Sequence, residues 1–180
     1  MERPRHPRSK QLDGFEANAT ALRLIELDER PLAGRFDVAH LKSIHRHIFQ
    51  DVYRWAGEFR TVNISKGGHL FGVVAFIGPA LDEVLRKLSD ERYSKTLDGR
   101  TFATRAGYYM GEINAIHPFR DGNGRTQREF IRELAVQAGF VIDWSRVTRE
   151  EMTAASLQSF KTGDISKMAA LIELSIRKSE

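Results

Sequence analysis

One short stretch of this chain concentrates its reactive side chains: His117-Pro118-Phe119-Arg120-Asp121-Gly122-Asn123-Gly124-Arg125-Thr126-Gln127-Arg128. Pro118 cannot continue a preceding helix, so the chain must turn there. Gly122-Asn123-Gly124 then leads straight into a helical pattern. Two glycines around an Asn permit positive φ and let backbone N–H groups converge, and a helix start adds its own N–H groups and partial positive charge. Together they form an anion nest, a seat for a phosphate. Arg125 and Arg128 are three apart on the opening turns of that helix and share a face, where two guanidinium groups can clamp further phosphates. Asp121 sets one carboxylate beside the nest, and Mg²⁺ takes one or two carboxylates together with phosphate oxygens and water. His117, at the end of the preceding helix, can accept a proton near neutral pH. Nest, metal carboxylate, arginine pair and base together describe phosphoryl or nucleotidyl transfer.

Singly, each residue has an ordinary reading. A His before Pro is most often a hydrogen-bonding helix end, Gly-Asn-Gly a turn, and Asp121 a turn residue or N-cap. Arg125 and Arg128 alone would be solvated helix residues. Their joint occurrence within one loop favours the chemical reading.

Helical periodicity dominates the elements that must position this loop. A first helix is expected over residues 15–30. Val38, Leu41, Ile44, Ile48 and Val52 form one apolar stripe on a helix of about four turns, with Asp37 as N-cap. Leu81, Val84, Leu85 and Leu88 mark a third helix, and residues 101–115 a fourth. Phe130, Ile131, Leu134, Ala135 and Ala138 line a fifth, stopped by Gly139. Thr148 to Glu151 reads as a capping box opening a sixth, and Asp164 opens a seventh that ends near Arg177. One segment differs. Residues 59–64 alternate and are rich in β-branched side chains, Ser65-Lys66-Gly67-Gly68 is turn chemistry, and residues 69–73 form a returning strand. A β-hairpin is therefore expected between the helices. A lone hairpin is marginal in water, so it must pack on the helices or meet a partner.

With 180 residues, 41% of them apolar and 29% charged, the chain has the balance of one globular domain, residues 1–180. The absence of Cys excludes disulfide scaffolds, thiol catalysis and Cys-based zinc sites. The longest near-apolar stretch, Leu70 to Leu81, carries two Gly and a Pro and is too short to cross a bilayer. No apolar h-region follows the basic start, so the expected location is the cytoplasm, with no membrane partner. The net charge of +4 lies largely in Arg3, Arg5, Arg8 and Lys10, a flexible basic arm within residues 1–14. No RNP-type aromatic motif or zinc-finger spacing accompanies it, so nucleic acid is not an expected partner.

The pattern His117-Pro118-Phe119-x-Asp121-Gly122-Asn123-Gly124-Arg125-x-x-Arg128 resembles the complete signature of the Fic family (filamentation induced by cAMP). Leu41-x-x-Ile44-His45-x-x-Ile48-Phe49-x-Asp51-Val52-Tyr53-x-Trp55-Ala56-Gly57-x-x-Arg60 also resembles that family's helix leading into its hairpin, and the likeness runs from about Leu22 to the C-terminus. The resemblance implies an all-α Fic fold with a β-hairpin flap over residues 58–74 and a catalytic loop over residues 117–128. It implies transfer of AMP from ATP to a Ser, Thr or Tyr hydroxyl of a target protein, with release of pyrophosphate. His117 would deprotonate that hydroxyl, and Asp121 would hold Mg²⁺. Gly122, Asn123 and Gly124 would form the anion hole, with Asn123 also touching phosphate. Arg125 would hold the β-phosphate and Arg128 the γ-phosphate. The flap, through Ile64, Leu70 and Phe71, would dock the target as an added strand, Phe71 or Leu70 clamping the modified side chain.

The same resemblance bears on partners. The family's inhibitory helix carries [Ser/Thr]-x-x-x-Glu-[Gly/Asn], and no Glu in this chain is followed by Gly or Asn. The expected inhibitor is thus a small antitoxin acting in trans at Arg128, as in a bacterial toxin–antitoxin pair. The type II topoisomerase subunits GyrB and ParE are the candidate targets implied. The catalytic domain of a larger secreted effector and a Fic-fold phosphotransferase are the alternative readings.

Overall fold

The structure, a computed structural model, describes residues 10–66, 68–92 and 97–179. Seven helices and two small antiparallel sheets lie among those residues. Helix α1 (Lys10–Glu29) precedes α2 (Val38–Phe49), whose Leu41, Ile44 and Ile48 are fully buried. Each such side chain contributes about 1.5–3 kcal/mol by leaving water. Asp37 caps α2 as expected, its carboxylate accepting the His40 N–H at 2.9 Å. The helix stops at Phe49 because the Val52 and Tyr53 N–H groups both bond to the Phe49 carbonyl and close a turn.

Helix α3 (Ile77–Asp90) adds Leu81, Val84, Leu85 and Leu88 to the core. Asp98 caps α4 (Gly99–Ile116), and a left-handed Gly122 opens α5 (Asn123–Gln137). Gly139, at positive φ, ends the α5 segment. The expected capping box of Thr148 and Glu151 opens α6 (Arg149–Thr162), and α7 (Ser166–Ser175) follows. Helix α4 is the central element, packed on α3, α5, α6 and most extensively α7, while α5 also packs on α2. Both halves of the reactive loop are thus continuations of buried helices.

Three boundaries differ from the sequence expectation. Helix α1 begins at Lys10 rather than Phe15, so residues 10–14 of the expected basic arm are helical, whereas residues 1–9 lie outside the described residues. Asp13 favours the positive end of that helix. The last helix ends at Ser175, and Ile176–Lys178 forms a strand antiparallel to Phe140–Ile142. The hairpin is shorter than expected. Its strands are β1 (Ser65–Lys66) and β2 (His69–Leu70), with Ser65 opposite Leu70, and the Phe71 N–H extends the pairing to the Ile64 carbonyl at 3.1 Å. Beyond that point one guanidinium, that of Arg60, donates to the carbonyls of both Val62 and Gly72 and holds the legs apart. No helix among the described residues is long and apolar enough to cross a membrane.

The close approach of α4 to α7 depends on Gly107: a Cβ there would lie 3.1 Å from the Ala169 nitrogen and 3.2 Å from its Cα. Gly107→Leu is expected to destabilise the fold by about 1–3 kcal/mol, since overpacking forces backbone shifts. A lowered urea midpoint with an unchanged slope would show it.

Candidate active site

Helix α4 ends at Ile116, and His117 turns the chain in the left-handed conformation, φ 50° and ψ 63°. That region costs a non-glycine residue about 1–2 kcal/mol. Pro118 disfavours a right-handed helical predecessor, so α4 cannot run on. The His117 Nδ1 lies 3.3 Å from the Asn114 carbonyl. A ring nitrogen facing a carbonyl bonds to it only as a donor, so Nδ1 carries a proton and Nε2 is the nitrogen that can accept one. Phe71 stacks on this imidazole at 4.0 Å between centroids and 19° between planes, and Phe160 of α6 backs Phe71 at 4.8 Å.

The turn from Pro118 to the start of α5 is held by side-chain bonds to the main chain. Asn123 is buried, and its amide bonds both main-chain polar groups of Phe119: Oδ1 accepts the N–H at 2.9 Å and Nδ2 donates to the carbonyl at 2.8 Å. The staple engages that amide, and Asn123 adds to the nest through its backbone. Gly122 is required twice: its φ is +77°, and a Cβ there would run into the Phe49 ring. The N–H groups of the first turn of α5 have no acceptor within the helix, and they converge with its positive end on one anion seat. Asp121 stands beside it, one carboxylate oxygen accepting the Gly122 N–H at 2.7 Å. A hard oxygen donor next to a phosphate seat fits Mg²⁺.

His45 supports this turn from below. It is fully buried, its Nδ1 accepts the Gly57 N–H at 2.8 Å, and its Nε2 lies 3.1 Å from the Asp121 carbonyl. The first bond requires a bare Nδ1 and the second an Nε2–H, so the ring is neutral in this geometry. It stacks on Phe119 at 3.9 Å. Burial pushes its pKa down to about 4.

The two arginines have different surroundings. Arg125 donates to the Thr20 hydroxyl at 3.0 Å and the Glu16 carboxylate at 2.6 Å, both on α1, and lies over the Phe49 ring at 4.5 Å. Glu16 also accepts from the Tyr53 hydroxyl at 2.8 Å. Arg128 has no carboxylate partner among the described residues. A Cβ at Gly124 would sit 3.6 Å from its guanidinium, which places that charge at the start of α5. Burial, with Arg125 and Arg149 nearby, holds its pKa below the ordinary arginine value. A half-buried cation in this setting is a site for an anion. A groove of about 320 Å³ opens beside it, lined by Leu24, Ile25, Asp28, Arg125, Arg128 and Trp144 among others.

Of the three flap residues, Phe71 is buried against His117, Leu70 is exposed, and Ile64 is half-buried. The fold therefore brings His117, Asp121, Gly122, Asn123, Gly124, Arg128 and Phe71 together, turns Arg125 partly toward α1, and leaves Leu70 outside.

The Fic/DOC family profile matches residues 35–135, and the chain belongs to that family. Protein adenylyltransferase VbhT of Bartonella schoenbuchensis is 46% identical over 162 residues, which cover 90% of this chain and 34% of VbhT. This chain thus spans about a third of that relative's length. The probable protein adenylyltransferase Fic of Escherichia coli is 34% identical over 159 residues, 88% of this chain and 78% of that protein. Among solved structures, the N-terminal Fic domain of a cell filamentation protein of Bartonella quintana with bound ADP superposes with a TM-score of 0.90 at 28% identity, covering 97% of this chain and 89% of that one.

His45, Arg60 and Glu16 are functional-site supports that the motif alone does not disclose. His45 and Arg60 stood in the second stretch of family resemblance, and His45 also follows the apolar stripe of α2, but neither signal assigned them a place at the site. The pKa of His45 is depressed from about 6.5 unfolded to about 4 folded, so the unfolded chain binds the extra proton between those values. Stability is then full above about pH 6.5 and falls as pH drops toward 4, by on the order of 3 kcal/mol. His45→Gln is expected to flatten the pH dependence of the melting temperature across this window. An unchanged slope would contradict the burial of a neutral imidazole here.

Proposed function

We propose that this chain is a Mg²⁺-dependent protein adenylyltransferase that transfers AMP from ATP to a Ser, Thr or Tyr hydroxyl of a target protein. The observation that carries the reading is the bracket made by α4 and α5: an imidazole lone pair at the end of one helix and an anion seat at the start of the next, five residues along. The N–H groups of Asn123 and Gly124 bind the α-phosphate and stabilise the charge that grows on its oxygens during attack, while that of Gly122 bonds the Asp121 carboxylate. Arg128 holds the terminal phosphate, and Arg125, with donors beyond the two bonded to α1, the middle one. Asp121 holds the metal; bound Mg²⁺ neutralises phosphate charge and orients the triphosphate. The target hydroxyl oxygen attacks the α-phosphorus, His117 Nε2 takes its proton, the bond to the bridging oxygen of the β-phosphate breaks, and pyrophosphate leaves. The names of the homologues and the ADP seen in the Bartonella quintana domain support this choice of chemistry.

The partners follow from the surface. The β1–β2 hairpin offers strand edges for an extended target segment. An acidic helix from a small antitoxin would dock on the other side, where Arg128 lacks a carboxylate among the described residues and exposed Ile25 borders the groove. GyrB and ParE are the first acceptors to assay. The need for ATP assigns the work to a cytoplasm, the host's or a recipient's.

Purified protein incubated with Mg²⁺ and ATP in a bacterial lysate should label proteins from α-labelled ATP. Mass spectrometry of the bands then gives acceptor and residue. Label passing from the γ-position instead would overturn adenylyl transfer in favour of a phosphotransferase. His117→Ala is expected to keep ATP affinity and to lose about 10²–10⁴-fold in rate, the usual contribution of a positioned base. Arg128→Ala is expected to weaken ATP binding and to blunt inhibition by an antitoxin carrying the Glu motif, and full inhibition of that variant would contradict the partner assignment.

A further inference from the structure

Arg60 is buried at 4% exposure and forms no ion pair with a carboxylate among the described residues. Three consecutive carbonyls at the start of the catalytic loop accept from this one residue. Its NH2 donates to Ile116 at 3.1 Å, its Nε to His117 at 2.8 Å, and its backbone N–H to Pro118 at 2.9 Å. The first two are end carbonyls of α4, which lack partners within the helix and lie at its negative pole. The same guanidinium reaches both legs of the flap, donating to Val62 at 2.8 Å and to Gly72. The flap is tied to α4 a second time by the Gly72 N–H, which bonds to the Ala115 carbonyl at 3.1 Å. Only a flat, forked, always-charged group can serve carbonyls on three segments at once, and lysine cannot replace it.

We propose that Arg60 is a positioning residue that couples the flap to the base: one guanidinium fixes both the left-handed aim of His117 and the height of the strand on which an acceptor segment docks. The proposal rests on the adenylyl-transfer reading and extends it, because it assigns the relative placement of acceptor hydroxyl and imidazole to a residue that touches neither. Phe71, stacked on His117 and next in sequence to Gly72, transmits any slack in the flap directly to the ring.

The test uses Arg60→Met and Arg60→Lys in the full chain, with three readouts. Amide exchange at Phe71 and Gly72 should rise about tenfold or more while amides in the α4–α7 core keep their protection, since only the flap's local opening changes. Binding of ATP with Mg²⁺, read by calorimetry, should stay within about threefold, because the nest and Arg128 are untouched. Labelling of lysate proteins from α-labelled ATP should fall about 100-fold, the scale set by a misplacement near 1 Å. A purely structural Arg60 would instead lower ATP binding and labelling together, in step with the folded fraction, and that result overturns the proposal. So does wild-type labelling by either variant. If Arg60→Met does not fold, Arg60→Lys, which keeps the charge but not the fork, must show the same split. If the wild-type chain labels nothing, adenylyl transfer itself fails, while the exchange arm still decides whether Arg60 couples flap and loop.

Discussion

Two backbone residues in the left-handed region, His117 and Gly122, bracket the turn between α4 and α5, and the site depends on that pair of bends. The first turns an imidazole out of a buried helix. The second starts the next helix with its N–H groups facing the same space. Glycine adopts the second bend freely, but the first is disfavoured for a histidine, so the surroundings must hold it. Asn123 staples the N–H and carbonyl of Phe119, His45 grips the Asp121 carbonyl, and Arg60 takes the carbonyls of residues 116, 117 and 118. The bends persist because buried side chains bond several of the main-chain groups that the turn exposes.

The charges around the turn are divided by function. His45 is kept neutral by burial and by a hydrogen-bond pattern that admits one tautomer, so it supports the loop without adding charge under the phosphate seat. Arg60 spends its charge on carbonyl dipoles. Arg125 is steadied by Glu16 and Thr20 of α1, which links the first helix to the site. Arg128, like Arg60, has no carboxylate partner among the described residues, but it lines the groove beside α1, and it is this charge that either a terminal phosphate or an inhibitor's glutamate would satisfy.

The sequence disclosed these parts unevenly. The reactive loop was legible because its chemistry is local: proline stops a helix, glycines bracket a bend, and the next helix begins at once. The buried stripes of α2, α3 and α5 and the caps at Asp37 and Thr148 were legible because helical order repeats within a few residues. The pairing of Phe140–Ile142 with Ile176–Lys178 was not, because a three-residue strand has no period and its partner is set by tertiary packing. The flap was placed correctly but drawn too long. Alternation over residues 59–64 suggested a strand, yet the legs open around a guanidinium whose partners are main-chain carbonyls, and those leave no mark on side-chain pattern. For the same reason the motif located Asn123 at the nest but could not show that its side-chain amide bonds the Phe119 main chain.

The most direct test of the account is a crystal structure of this chain with Mg²⁺ and a non-hydrolysable ATP analogue. The account predicts the α-phosphate on the N–H groups of Asn123 and Gly124, with His117 Nε2 on the side opposite the bridging oxygen and Arg128 on the terminal phosphate. A triphosphate seated away from the start of α5, or an imidazole turned from the α-phosphorus, would contradict it.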